Sequence, residues 1–238
     1  MTETWTANER EAGGARQVRF SLTVDGERVP GLLVLPRGAG PFPLVFIQHP
    51  GTSSKDDFFV AGTARDWLRH GWACVGIDAP MHGDRDGADP MALFRDADRF
   101  PAIRAQFAKE VSAVVDAIAG RYPVDLARLG WASYSMGSML GIEAVARDGR
   151  FKAAVFAAVG EGGLAGPSSG PESVVPELEG VAVRLVGKEA DELIARDATE
   201  RLFEAIPGEK DLVWLPGGHF SIGADVVQSL EGWLLEQL

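Results

Sequence analysis

The sequence predicts an α/β chain: a doubly wound, mostly parallel sheet of eight strands flanked by helices and entered through an antiparallel N-terminal hairpin. Three observations predict it. Short, continuous apolar runs recur along the chain, as strands covered on both faces require. Stretches with helical spacing of apolar residues fall between them, the pattern of right-handed strand–helix–strand crossovers. The first two strand-like segments instead alternate polar and apolar residues, as half-exposed antiparallel strands do.

Residues 1–16 are polar and read as a flexible N-terminal tail or a short surface element; 17–238 read as one domain. Gln17 to Val24 alternates, Asp25-Gly26 marks a hairpin turn, and Val29 to Leu35 is the partner strand. Pro36 to Pro43 is a Gly/Pro loop. Leu44 to Gln48 is a buried strand that runs into His49-Pro-Gly-Thr, followed by a helix from Phe58 to His70 that Gly71 caps. Trp72 to Asp78 is the next buried strand. Charged, irregular chain then extends to Pro101, and Val111, Val114, Val115 and Ile118 place a helix over Phe107 to Ala119. The spacing predicts further strands at 129–132, 153–159, 181–186 and 212–215, with helices from Met136 to Arg147, Glu192 to Ile206 and Ile222 to Leu238. Gly160 to Pro176 is rich in Gly, Pro and Ser. There is no internal repeat.

A chain of 238 residues with 46% hydrophobic content can bury a sizeable core. Its formal charge of -11 argues against nucleic acid and anionic membrane surfaces as partners, since both select basic patches. Cys74 is the one cysteine, so no intrachain disulfide can form, and a reducing, cytoplasmic setting is the expectation. No apolar run approaches the ~18 residues of a membrane span, and the N-terminus lacks the apolar core of a secretory signal.

The chemistry centres on Arg128-Leu-Gly-Trp-Ala-Ser-Tyr-Ser-Met-Gly-Ser-Met-Leu-Gly. Read as strand, tight turn and helix, it puts Ser135 at the apex, where a strained backbone holds a nucleophilic hydroxyl clear of the sheet. Such a turn needs small residues two before and two after the serine, and Ser133 and Gly137 meet that need. Ser133 has Trp131 two before it and is the weaker nucleophile. The bland alternative is an ordinary Ser/Gly turn.

A serine hydroxyl needs a base, and the base needs a group that orients it. His219 follows the last strand in a Gly-Gly-His-Phe loop, downstream of the serine, and is the candidate base. The acid should follow the strand between them. There Asp191 is the first choice, although it also suits a helix N-cap; Glu189 is the runner-up, and Asp197 falls inside the helix. An oxyanion hole requires two N–H groups. Met136, at the start of a helix, supplies one, and Gly51, with Thr52 next, the other; Pro50 has no N–H. His49 reads as structural. His70 suits a helix C-terminus, and His82 suits turn-building. His82, Asp84 and Asp86 match no metal-binding spacing, so no metal is expected.

Taken together, His49-Pro-Gly-Thr with Lys55, Gly76-Ile-Asp-Ala-Pro-Met-His-Gly, Ser133-Tyr-Ser-Met-Gly, Gly187 to Asp191 and Gly217-Gly-His219 resemble an α/β-hydrolase. The likeness is to the dienelactone-hydrolase and small-carboxylesterase branch, and it spans roughly residues 17–238. Their order (Ser, Asp, His) is that family's order. Ser133 departs from the usual first elbow glycine, and Pro50 from the glycine that often follows the loop histidine. The resemblance implies the α/β-hydrolase fold, no cofactor, a small-molecule ester as partner and hydrolysis through an acyl-enzyme. It also implies that a cap, where present, inserts after the strand ending near Val159. Only the 160–176 loop occupies that place, so a minimal lid is expected. Phe58, Phe94, Phe100, Tyr134 and Phe220 are candidate walls of an acyl or alcohol pocket, core packing being the alternative for each. Rival readings are a peptidase or amidase of the same fold, and a catalytically silent binding protein. The sequence leaves a homodimer open.

Overall fold

The computed structural model describes residues 4–95, 97–162 and 170–238, except the side chains of Phe94 and Ala97. Among the described residues, nine strands form one sheet: β1 (Trp5–Ala12), β2 (Ala15–Val24), β3 (Glu27–Leu35), β4 (Phe42–Gln48), β5 (Ala73–Ile77), β6 (Val124–Tyr134), β7 (Ala153–Ala157), β8 (Ala182–Lys188) and β9 (Lys210–Leu215). Their order across the sheet is β1-β2-β3-β5-β4-β6-β7-β8-β9. From β1 through β3 to β5 the pairings are antiparallel, and from β5 to β9 all are parallel.

The expected count of eight strands is therefore one short, and the expected tail contains the missing strand. Trp5–Ala12 pairs along its whole length with β2. The turn between them is Gly13-Gly14, both at positive φ (59° and 84°), the two-residue geometry that matches strand twist. Trp5 then stacks on Phe20 at 4.5 Å between ring centroids, and Glu9 accepts a hydrogen bond from Tyr122 Oη at 2.7 Å. Polar composition concealed a strand because both of its faces are largely exposed at the sheet edge. The expected hairpin at Asp25-Gly26 forms with the same geometry.

Alternate residues of the central strands point to opposite faces. Phe46 and Trp131 join a core built with α3 (Phe100–Ala119) and α4 (Met136–Asp148), whereas Val45, Ile47 and Ala132 join a second core built with α6 (Ala224–Gln237). On that second face the stretch expected as one helix, 58–70, is compound. It runs as a π-turn (Phe58–Gly62), α1 (Thr63–Asp66) and a 3₁₀ turn (Trp67–His70), and ends at Gly71 with φ 73°.

Two helix starts differ from expectation for local reasons. Beyond the short α2 (Ala92–Arg95), α3 begins at Phe100 rather than Phe107, because Pro101 occupies its first turn, where a missing N–H costs nothing. Conversely, α5 (Arg196–Ala205) begins four residues later than Glu192, because Asp191 ties up the N–H groups of Leu193 and Ile194. The middle of the expected 160–176 lid loop, residues 163–169, lies outside the described residues; its last residues belong to a 3₁₀ turn, Glu172–Leu178.

The chain crosses from β5 over β4 to β6, so strand direction of travel reverses between β4 and β6. In open parallel sheets the crevice at such a switch point, beyond the strands' carboxyl ends, is where ligands bind. The loops after β4, β6 and β8 and the loop after β9 all open there. Among the described residues, no helix is long and apolar enough to cross a membrane.

Candidate active site

Ser135 stands alone between the end of β6 and the start of α4, at φ 53°, ψ -120°. A non-glycine residue in that region costs of order 1–3 kcal/mol and persists only where its surroundings impose it. Here its N–H donates to Ala157 O at 2.8 Å, which fixes the turn against β7. Gly137 explains how the helix reaches the sheet: a Cβ there would lie 2.7 Å from both Gln48 O and His49 O. Ser133, in the place of the usual elbow glycine, is fully buried and faces away from the cleft. Its Oγ accepts from Trp131 Nε1 at 2.9 Å and lies 3.1 Å from Ser138 Oγ. The extra hydroxymethyl is tolerated because a buried indole N–H requires an acceptor there.

The structure brings Ser135, His219 and Asp191 together. Ser135 Oγ lies 2.7 Å from His219 Nε2, and His219 Nδ1 lies 3.0 and 2.9 Å from the two carboxylate oxygens of Asp191. With Nδ1–H donating to Asp191, Nε2 is free to accept from the serine. Asp191 Oδ1 also accepts from Leu193 N and Ile194 N at 2.9 and 2.8 Å in the turn after β8, so its carboxylate is held still; it caps no helix, since α5 starts only at Arg196 with Ala195 as its N-cap. Burial alone would raise its pKa; the hydrogen bonds from His219 and the two amides outweigh that and hold it below the usual carboxylate value. The rival acids lie elsewhere: Glu189 is exposed, and Asp197 pairs with Arg201 on the surface at 2.8 Å.

His219 is held at its backbone as well. Its N–H donates to the Glu192 carboxylate at 2.6 Å, and its carbonyl accepts from Tyr134 Oη at 2.8 Å. Glu192 has no signature in the sequence, because a side chain that grips a backbone group requires no particular residue type opposite it.

Gly51 and Thr52 face the same cleft as Ser135, and Thr52 adopts a left-handed φ of 60°. Met136, as the first residue of α4, offers an N–H without an intrahelical acceptor. The loop carrying Gly51 is braced from below. His49 Nδ1 donates to Pro50 O at 2.7 Å, and its Nε2 accepts from Ala79 N at 3.0 Å. Burial lowers its pKa to about 4 and keeps the imidazole neutral. Lys55 completes the brace: its Nζ meets Asp78 at 2.9 Å and Asp84 at 2.7 Å, while its N–H donates to Asp78 at 2.9 Å.

The remaining histidines serve packing. His70 pairs with Glu231 of α6 at 2.8 Å, and His82 Nδ1 bonds Pro80 O at 2.8 Å. Asp84 meets Lys55 and Asp86 meets Arg28, so the two carboxylates near His82 have separate cationic partners.

A cavity of about 590 Å³ opens over Ser135 and His219. Tyr134 and Phe220 line it, together with Met91, Leu193 and Ile222, which the sequence did not single out. Two expected pocket residues are corrected. Phe100 is fully buried in the core beside α4, where the first turn of α3 carries it, and Phe58 is exposed outside the cavity lining. The Phe94 side chain lies outside the described residues. Apolar periodicity cannot separate an aromatic in the core from one in a pocket, since both sites select it.

The fold has many solved counterparts. The chain is similar to a polyethylene-glycol-bound, cold-adapted esterase from an Arctic intertidal metagenomic library: 26% identity over 97% of this chain and 99% of that one, TM-score 0.81. It is also similar to acetyl xylan esterase 1 from Thermoanaerobacterium sp. JW/SL YS485, at 16% identity, 99% and 88% coverage and TM-score 0.76. A third counterpart is the α/β hydrolase GrgF from Penicillium sp. sh18, at 15% identity, 100% and 99% coverage and TM-score 0.73. No protein-family model and no curated protein sequence matches the chain. Sheet order, elbow and these counterparts give the chain the α/β-hydrolase fold.

Proposed function

We propose that the protein is a cofactor-independent serine hydrolase of small carboxylic esters. The observation that carries this reading is the continuous hydrogen-bonded chain Ser135–His219–Asp191 at the floor of an open cavity. The esterase activity of the cold-adapted counterpart supports it. Ser135 Oγ bonds to the ester carbonyl carbon while its proton passes to His219 Nε2. Asp191 keeps the ring oriented and stabilises the imidazolium. The N–H of Met136 and that of Gly51 or Thr52 receive the negative charge that develops on the carbonyl oxygen. Collapse of the tetrahedral adduct releases the alcohol, which takes the proton from His219. Water then attacks the acyl-serine with His219 again as base, and the carboxylic acid departs.

The cavity indicates the ester's character. Met91, Leu193 and Phe220 are large exposed apolar side chains on its lining. Such a collar suits an apolar acyl or alcohol group. The reading is tested by Ser135→Ala assayed on a panel of short-chain aryl esters. Hydrolysis should be abolished with thermal unfolding unchanged; turnover persisting near the wild-type rate would contradict it.

A further inference from the structure

We infer that Glu192 is a positioning residue for His219: its carboxylate anchors the backbone of the histidine loop, so that the imidazole keeps its place between Ser135 and Asp191. The inference rests on the esterase reading of the same site.

Three contacts fix His219. Asp191 holds the ring at Nδ1, Tyr134 Oη donates to the backbone carbonyl at 2.8 Å, and Glu192 accepts the backbone N–H at 2.6 Å. Asp191 and Glu192 are consecutive, so one short turn after β8 grips the histidine at both its ring and its main chain. That turn is itself laced to the histidine loop: Glu189 N donates to Leu215 O at 2.9 Å and Ala190 N to Gly217 O at 3.1 Å. The residue before the histidine fits the same arrangement. A Cβ on Gly218 would overlap both carboxylate oxygens of Glu192, so the carboxylate lies directly against the bare backbone of Gly218. Gly218 does not adopt a left-handed φ, and so conformation alone does not demand glycine there. Room for the Glu192 carboxylate accounts for it.

An exposed glutamate that merely decorates the surface would change nothing in the reaction. A clamp on the base acts on the chemical step, because a histidine displaced by a fraction of an ångström loses its alignment with the serine while the cavity still admits substrate. Glu192→Ala should therefore lower kcat roughly tenfold with KM little changed, the scale of a modest misalignment. Glu192→Gln retains an acceptor oxygen and should restore most of the rate. Gly218→Ala, which pushes the carboxylate aside, should reproduce the Glu192→Ala loss, and the double variant should be little worse than either single one. Thermal unfolding of each variant checks that the fold is intact. Phosphonylation of Ser135 by a fluorophosphonate, followed in the same variants, should slow in parallel with kcat. The inference is overturned if Glu192→Ala keeps the wild-type kcat, if Glu192→Gln is as impaired as Glu192→Ala, or if the Gly218 and Glu192 losses multiply. Because the phosphonylation rates compare the same variants without any ester, a wrong substrate assignment and a wrong Glu192 assignment give different results.

Discussion

The sequence offers Asp191 two roles, helix N-cap or the acid that orients His219. The structure decides between them: α5 starts only at Arg196, and the turn bonds from Leu193 N and Ile194 N hold the carboxylate still for His219. Asp191→Asn would place an amide against Nδ1 and favour the wrong imidazole tautomer, so kcat should fall roughly 10³–10⁴-fold. Glu189→Gln should leave the rate at the wild-type level, and steady-state kinetics on one aryl ester compares the two. A larger loss in Glu189→Gln would refute the assignment. Ser135, Asp191 and His219 were legible because the elbow pattern and the order of the three residues constrain one another. Glu192 and the pairing of Ser133 with Trp131 were not, since each depends on a neighbour that only folding supplies.

At the scale of elements, the loop after β4 shows how a buried group sets a pH limit. His49 braces that loop as a neutral imidazole, with its pKa lowered from 6.5 to about 4 chiefly by burial. In the unfolded chain it binds a proton below its ordinary value, whereas in the folded chain it does not until about pH 4. Its contribution to stability is therefore complete above the unfolded value and is lost progressively as pH falls through that window. Buried His82, also lowered chiefly by burial, acts with the same sign. The urea midpoint should drop between about pH 7.5 and about pH 5. A His49→Asn variant, less stable at the higher pH, should lose less over the same interval; an equal loss would exclude His49 as a source. Elsewhere the element boundaries were missed where one residue has two meanings. Pro101 reads as an end yet opens α3, and Gly13-Gly14 reads as a flexible tail yet turns β1 back along β2.

Across the whole molecule, the strand crossover at β4 and β6 puts four separate loops around one crevice, and the alternation of buried runs predicted that arrangement without any contact being visible. Composition adds a preference. The net charge is -11, and among the described residues lining the cavity Asp57 is a carboxylate while none is lysine or arginine. A neutral aryl ester should be hydrolysed with higher kcat/KM than a monoanionic one of the same leaving group, and added salt should narrow the gap. Equal rates for the two, unaffected by salt, would show that the cavity does not sense charge.

The central claim is that Ser135 is the nucleophile of this site, and mass spectrometry after exposure to a fluorophosphonate probe tests it most directly. The account predicts a single adduct on the peptide that carries Ser135, absent from Ser135→Ala and formed in parallel with loss of ester turnover. An adduct on another residue, or ester turnover that survives full labelling of Ser135, would contradict it.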